Sequence, residues 1–124
     1  MNSQRIGIIF GSLFAFLAIA IGAFGAHALQ DNLSDYQSKI LQTAVHYQFI
    51  HAIALLALVA LGTSFKLSLR FPIYAMIIGT TIFSGSLYLI IATGQSIFGA
   101  ITPIGGLSLL SAWARLFFIS LKKI

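Results

Sequence analysis

The sequence predicts an all-α, polytopic membrane protein with four transmembrane helices in one antiparallel bundle. Hydrophobic residues make up 59% of the 124 residues and charged residues only 7%, a composition far from that of a soluble domain. The charges lie almost entirely between four apolar stretches, each close to the ~20 residues that a helix needs to cross a ~30 Å hydrocarbon core. A soluble chain of this length could not bury four helices that are apolar on every side, whereas helices in lipid need no such interior.

The apolar stretches define one domain, 1–124, and set the limits of its spans. We predict transmembrane helices at about 6–27, 36–62, 71–94 and 103–121. The first span is longer than the roughly 7–15 residues that are usual for the apolar part of a signal peptide, so we expect it to remain uncleaved. A short, uncharged connection at 94–100 follows the third span.

Local start signals support the last three helices. Ser34 and Gln37 have the spacing of a capping box, and this indicates that the second helix begins close to them. Asp35 suits the positive end of the helix dipole and is the expected first residue. Pro72 and Pro103 suit the first turns of the third and fourth helices.

Basic and acidic residues fall at opposite ends of the predicted helices. The two acids, Asp31 and Asp35, lie with Lys39 in the first connection. Five basic residues lie at the other end: Arg5, Lys66, Arg70, Lys122 and Lys123. Arg115 lies about two turns before the last lysines and can snorkel toward the same end. By the positive-inside rule both termini face the cytoplasm, and the net charge of +5 indicates orientation and lipid head-group contact, with no nucleic-acid partner.

Small residues recur every three or four positions along the first span, where they form a ladder on one face. The ladder consists of Gly7, Gly11, Ala15, Ala18, Gly22 and Ala26. Gly79 in the third span and Gly105 in the fourth mark similar faces. Small side chains let membrane helices approach closely, so these faces predict tight contacts within the bundle or with a partner helix.

Polar side chains inside the predicted spans gather in the outer half of the bundle. Counting along antiparallel helices places seven residues in this layer: His27, His46, Tyr47, His51, Ser84, Ser86 and Tyr88. Polar groups are costly in a membrane and therefore mark a candidate site. Two interpretations remain open: hydrogen bonds that hold the helices together, and a pH-sensitive pocket for a small ligand, proton or ion.

The polar layer lacks residues that most metal sites and hydrolytic enzymes require. His46 and His51 are five positions apart, roughly 140° around a helix, so they cannot bind the same ion, although a cross-helix pair such as His27 with His51 could. The chain has no cysteine, and its only two acids lie outside the spans. Ser84 and Ser86 consequently lack an acid to orient a histidine base. We expect no metal, no cofactor, no catalytic residue and no enzymatic activity.

Four ordered motifs cover nearly the whole chain: Gly22–Leu29, Tyr47–Leu56, Phe83–Tyr88 and Thr102–Gly106. Together they resemble the YgdD/YwdK-like family of small bacterial inner-membrane proteins, a family classed as of unknown function. The resemblance implies a multi-pass protein of the bacterial plasma (inner) membrane with four spans. It offers no activity, substrate or catalytic residue to carry over to this chain.

Two function hypotheses follow from the sequence. The favoured one is a small, non-enzymatic membrane component that acts through helix–helix assembly, as a homo-oligomer or within a larger membrane complex. The alternative is a carrier or binding site for a small ligand, proton or ion in a pocket lined by His, Ser and Tyr side chains. In both cases the lipid bilayer is the immediate partner.

Overall fold

The fold consists of four long helices and one short turn of 3₁₀ helix. A computed structural model describes residues 2–27 and 31–124; residues 1 and 28–30, which include the end of the motif Gly22–Leu29, lie outside this description. The helices are α1 (Ser3–His27), α2 (Asp35–Ser64), α3 (Arg70–Thr93) and α4 (Thr102–Lys123). All four are long and apolar enough to cross a membrane, and the described residues contain no strand, so the all-α prediction is confirmed.

The capping box at the start of α2 forms as the sequence indicates. The hydroxyl oxygen of Ser34 accepts a hydrogen bond from the backbone N–H of Gln37 at 3.1 Å. In return, the side-chain oxygen of Gln37 accepts one from the backbone N–H of Ser34 at 3.0 Å. These two bonds satisfy donors that a helix start leaves unpaired, so α2 begins at Asp35, well before its apolar part.

The connection between α3 and α4 is folded rather than extended. Gly94 ends α3 in the left-handed conformation, with φ of 70°, and its N–H donates to the carbonyl of Ile90. A side chain is strained in this conformation, which explains a glycine at this position. The 3₁₀ turn Ser96–Ala100 follows, and its Phe98 packs against a small apolar cluster that includes Ile90.

The two central helices, α2 and α3, position the others. α1 packs along α2 and touches α3, whereas α4 packs along α3. Within 2–27 and 31–124, α1 and α4 make no contact with each other, so both present most of their surface to the surroundings. The largest fully buried apolar side chains come from the central pair: Leu55, Leu58, Ile73 and Met76.

The small-residue ladder of α1 meets α2 along most of its length. Gly7, Gly11 and Ala18 are buried, Ala15 and Gly22 are half-buried, and Ala26 is exposed. Gly25, and not Ala26, makes the last close contact of α1 with α2. A β-carbon added at Gly25 would lie 2.5 Å from the Leu41 side chain. The sequence ladder was therefore wrong at its final step, because Gly11, Ala18 and Gly25 repeat every seven residues and share a face, from which Ala26 is rotated by ~100°.

Gly79 and Gly105 allow a close approach between α3 and α4. A β-carbon added at Gly105 would lie 2.5 Å from the Phe83 nitrogen and 2.8 Å from the Gly79 carbonyl oxygen. A β-carbon at Gly79 would lie 3.0 Å from the Gly105 carbonyl oxygen. Each glycine is thus backed by the other helix's backbone, the arrangement that close-packed membrane helices require.

Candidate functional site

Gln48 is the polar centre of the molecule, where three helices meet. Its side chain is 5% exposed. Its amide nitrogen donates to the carbonyl oxygen of Phe14 in α1 at 2.9 Å. Its amide oxygen accepts from the Tyr88 hydroxyl in α3 at 2.7 Å. One side chain of α2 therefore connects both neighbouring helices.

His51, one turn further along α2, is paired at both ring nitrogens. Nδ1 lies 2.7 Å from the carbonyl oxygen of Tyr47. Nε2 lies 3.0 Å from the indole nitrogen of Trp113 in α4. An indole N–H can only donate, so Nε2 is the acceptor and Nδ1 carries the hydrogen of a neutral ring. This tautomer, assigned from the hydrogen bonds, joins α2 to α4 although the two helices do not pack directly.

Serine hydroxyls connect α3 to its neighbours. Ser84 donates to the carbonyl oxygen of Ala44 in α2 at 2.7 Å. Ser86 donates within α3 to Phe83 and shares a hydrogen bond with the Thr102 hydroxyl at the start of α4. Further along the same pair of helices, Ser108 of α4 donates to the carbonyl oxygen of Ala75 at 2.8 Å. Both faces of α3 are thus joined to neighbouring helices by hydroxyl groups.

The predicted polar layer is divided rather than gathered in one pocket. His51, Ser84, Ser86 and Tyr88 lie among the interhelical hydrogen bonds described above. His27 is exposed at the end of α1, and His46 is exposed on α2. Tyr47 is also partly exposed, and its ring packs against that of Phe83 with centroids 4.5 Å apart. The structure therefore does not bring the three histidines together.

His46 faces a separate, open groove between α1 and α2. The groove has a volume of about 640 Å³, within the ~300–1,000 Å³ range of small-molecule sites. Gly22, Gly25 and Ala26 form its α1 wall. Ser38, Gln42 and His46 recur every four residues along its α2 wall, so three polar side chains share one face.

Sequence reasoning missed Gln48 and Trp113. Gln48 is the only carboxamide in the apolar part of α2, so an unpaired amide there would be costly in lipid, and this was the available signal. Tryptophan in membrane helices is typical of bilayer anchors, so Trp113 by itself does not indicate an interhelical hydrogen bond. Its position ten residues before Lys123 places it roughly 15 Å from the end of α4, at a depth where an indole N–H needs a protein acceptor.

The polar side chains inside the bundle form hydrogen bonds, and few of their polar atoms lack a partner among the described residues. Ser84 and Ser86 donate to backbone carbonyls, and His51 is held between Tyr47 and Trp113. Among the residues that the structure describes, the only buried side-chain polar atom without a hydrogen-bond partner is the Thr80 hydroxyl. Within the same residues there is no group of three side chains of the His, Cys, Asp and Glu types that could hold a metal ion.

Comparisons of the sequence with known proteins find relatives that are named membrane proteins. A family profile described as a protein of unknown function (DUF423) matches residues 21–106. The chain is 38% identical to a UPF0382 membrane protein of Staphylococcus epidermidis over 119 residues, which cover 96% of this chain and 98% of the relative.

Two further relatives come from other bacteria. Identity is 35% to the UPF0382 membrane protein YwdK of Bacillus subtilis, over 96% of this chain and 98% of the relative. It is 34% to the UPF0382 inner membrane protein YgdD of Escherichia coli K12, over 90% of this chain and 86% of the relative. No solved structure matches the chain significantly.

Proposed function

This chain belongs to the DUF423 family, whose relatives are named membrane proteins, and we propose that it is a non-enzymatic membrane component. In this proposal it acts through helix–helix assembly, with further copies of itself or within a larger membrane complex. Its setting is the bacterial plasma (inner) membrane, as the relative named an inner membrane protein indicates. Both termini are expected to face the cytoplasm.

The observation that carries the proposal is the pairing of the polar groups inside the bundle. Gln48, His51 and Ser84 each bond to a neighbouring helix, as a structural role requires. Acid–base or nucleophilic catalysis needs a reactive side chain within reach of an orienting partner. The two carboxylates that could orient a histidine, Asp31 and Asp35, precede the apolar part of α2.

The outer surface of the bundle offers the contacts that assembly needs. On α3, Ser84 points to α2 and Ser86 to α4, so Gly85 between them faces away from both. A β-carbon added at Gly85 would meet no heavy atom within 4 Å. Ala92 lies on the same exposed face, two turns further along. Small outward residues permit close approach of a further helix, which supports assembly through this side of the molecule.

Single-cysteine cross-linking in native membranes tests assembly directly, because the natural chain has no cysteine. We would place one cysteine at an outward position of each helix in turn: Ala20, Ala57, Gly85 and Ala114. Oxidation is expected to give a covalent dimer, or a defined adduct with one other membrane protein, from at least one of these positions. Ala52→Cys, at a position with 0% exposure, is the matched control and should give no adduct.

A second candidate function rests on the groove beside His46. The groove is large enough for a small molecule, and its Ser38, Gln42 and His46 side chains offer hydrogen-bonding groups opposite a wall of small residues. This relocates the ligand-binding hypothesis from the bundle interior to the surface between α1 and α2. Absence of cross-links from all four outward cysteines, together with a small molecule retained by the purified monomer, would favour this candidate over assembly.

A further inference from the structure

Three cationic side chains converge on one cleft at the end of the molecule where the chain begins and finishes. The cleft has a volume of about 470 Å³ and lies between the start of α3 and the last turns of α4. Arg70 comes from α3, and Arg115 and Lys123 come from α4. Ser68 and Tyr74 add a hydroxyl each to the lining. Helix packing thus brings together charges that are 45 to 53 positions apart in sequence.

No acidic side chain of the protein can neutralise this cluster. The only two acids, Asp31 and Asp35, lie at the opposite end of α2 from the cleft. The 30 residues of α2 separate these ends by roughly 45 Å, far beyond a Debye length of ~8–10 Å. Three cations around one cleft repel one another, so an anion that binds among them lowers this repulsion.

The depth of Arg115 strengthens this conclusion. It lies eight residues before Lys123 on α4, which places it roughly 12 Å further into the membrane. A polar head-group region is only ~5–7 Å thick on each side of the hydrocarbon core, so Arg115 starts at or below the hydrocarbon boundary. An arginine at this depth faces a water-filled or polar cavity and pairs with a counter-charge.

The shape and chemistry of the lining match a phosphate group at the membrane surface. Arginine presents a planar fork of N–H donors that suits phosphate oxygens, and hydroxyls such as those of Ser68 and Tyr74 can donate to the same group. The Arg70 guanidinium already lies over the Tyr74 ring, 5.7 Å from its centroid, which holds it at the rim of the cleft. The exposed ring of Phe71 supplies apolar surface beside the charges, where an acyl chain would pass.

We propose that this cleft is a binding site for the phosphate head group of an anionic phospholipid, in the leaflet at which both termini emerge. The positive-inside rule assigns this end to the cytoplasmic leaflet, where anionic lipids attract basic residues near the membrane. The proposal does not depend on assembly or on the groove beside His46. It assigns a joint task to Arg70, Arg115 and Lys123, which sequence alone interpreted as separate orientation signals.

The test is a lipid titration of the full chain in neutral detergent, followed by native mass spectrometry. Short-chain phosphatidylglycerol, short-chain phosphatidylcholine and inorganic phosphate are the three probes. Phosphatidylglycerol is expected to bind at least about tenfold more tightly than phosphatidylcholine, since each cation near the surface contributes about fivefold, or ~1 kcal/mol. Inorganic phosphate is expected to bind more weakly than the lipid, because it lacks the acyl chain.

Charge-matched variants separate the cleft from a general attraction to a basic surface. Arg115→Gln is expected to weaken phosphatidylglycerol binding at least about tenfold, because it loses charge-assisted hydrogen bonds to the phosphate in addition to the general attraction of one cation. Lys122→Gln removes the same charge from the same end of α4, but Lys122 does not line the cleft, so it should weaken binding by no more than the roughly fivefold general contribution of one surface cation. If Arg115→Gln does not fold, as judged by its thermal unfolding, Lys123→Gln takes its place with the same expectation.

Three results would overturn the proposal. Equal affinity for the two lipids would show that the head-group charge is not recognised. Equal effects of Arg115→Gln and Lys122→Gln would show a diffuse surface attraction instead of a site. Inorganic phosphate binding as tightly as phosphatidylglycerol would identify a soluble anion, and not a lipid, as the occupant.

Discussion

Gly105→Ala is expected to destabilise the protein by about 3 kcal/mol, because it overpacks the contact between α3 and α4. The new β-carbon would lie 2.5 Å from the backbone nitrogen of Phe83 and 2.8 Å from the carbonyl oxygen of Gly79. Neither atom can rotate away as a side chain can, so α3 and α4 must separate along their interface. In lipid, separation loses the van der Waals contacts on which membrane helix pairs depend.

Gly85→Ala is the matched control for this change, since it adds the same methyl group to a glycine of a packed helix. A β-carbon at Gly85 meets nothing within 4 Å, and alanine favours helix over glycine by about 1 kcal/mol, so stability should rise slightly or stay constant. Equilibrium unfolding of both variants in mixed micelles measures the difference. Equal stability of the two variants would show that α3 and α4 are not as close as described here.

Gln48→Leu is expected to cost about 2–3 kcal/mol, although leucine is the more hydrophobic residue. The change removes the bond to the Phe14 carbonyl and leaves the partly buried Tyr88 hydroxyl without an acceptor. A buried polar group left unpaired costs about 1–3 kcal/mol, which exceeds the gain from a longer apolar contact. The free energy of unfolding in lipid–detergent micelles measures the loss.

Two further variants isolate the hydrogen bonds as the cause. Gln42→Leu makes the same chemical change on the exposed side of α2, where the side chain lines the open groove, and should alter stability by less than about 0.5 kcal/mol. Adding Tyr88→Phe to Gln48→Leu removes the orphaned hydroxyl and should restore part of the stability. An unchanged free energy of unfolding in Gln48→Leu would show that the hydrogen bonds of Gln48 do not stabilise the bundle. The same conclusion would follow if Tyr88→Phe lowered the stability of the double variant as much as it lowers that of the unmodified protein.

The number and ends of the helices were predictable because they depend on local signals. Hydropathy gives the four spans, and the reciprocal bonds of Ser34 and Gln37 fix the start of α2 whatever surrounds it. The close contact of Gly79 with Gly105 also agrees with the packing role expected of small residues. Near the end of α1 the spacing of small residues allowed both Gly25 and Ala26, and only the observed heptad repeat selects Gly25.

The sequence predicts how deep in the membrane the polar side chains lie, but not which neighbouring helix each side chain faces. Counting residues along antiparallel helices placed His46 and His51 in one polar layer, but it could not tell which neighbour each side chain faces. Trp113 pairs with His51 across 62 positions of sequence, and no local pattern encodes that pairing. The cationic cleft was invisible for the same reason, since Arg70 and Arg115 become neighbours only when α3 and α4 pack.

Polar side chains inside this membrane protein link its helices, as the hydrogen bond between His51 and Trp113 shows. A double-mutant cycle of His51→Ala and Trp113→Phe, with unfolding free energies measured in lipid, tests whether this link stabilises the fold. We expect Trp113→Phe to cost about 0.6 kcal/mol less when His51 is already alanine, and at most about 1.7 kcal/mol less, as double-mutant cycles between membrane helices give. Strictly additive costs would contradict this expectation, because they would mean that the indole N–H and the imidazole do not stabilise the fold together.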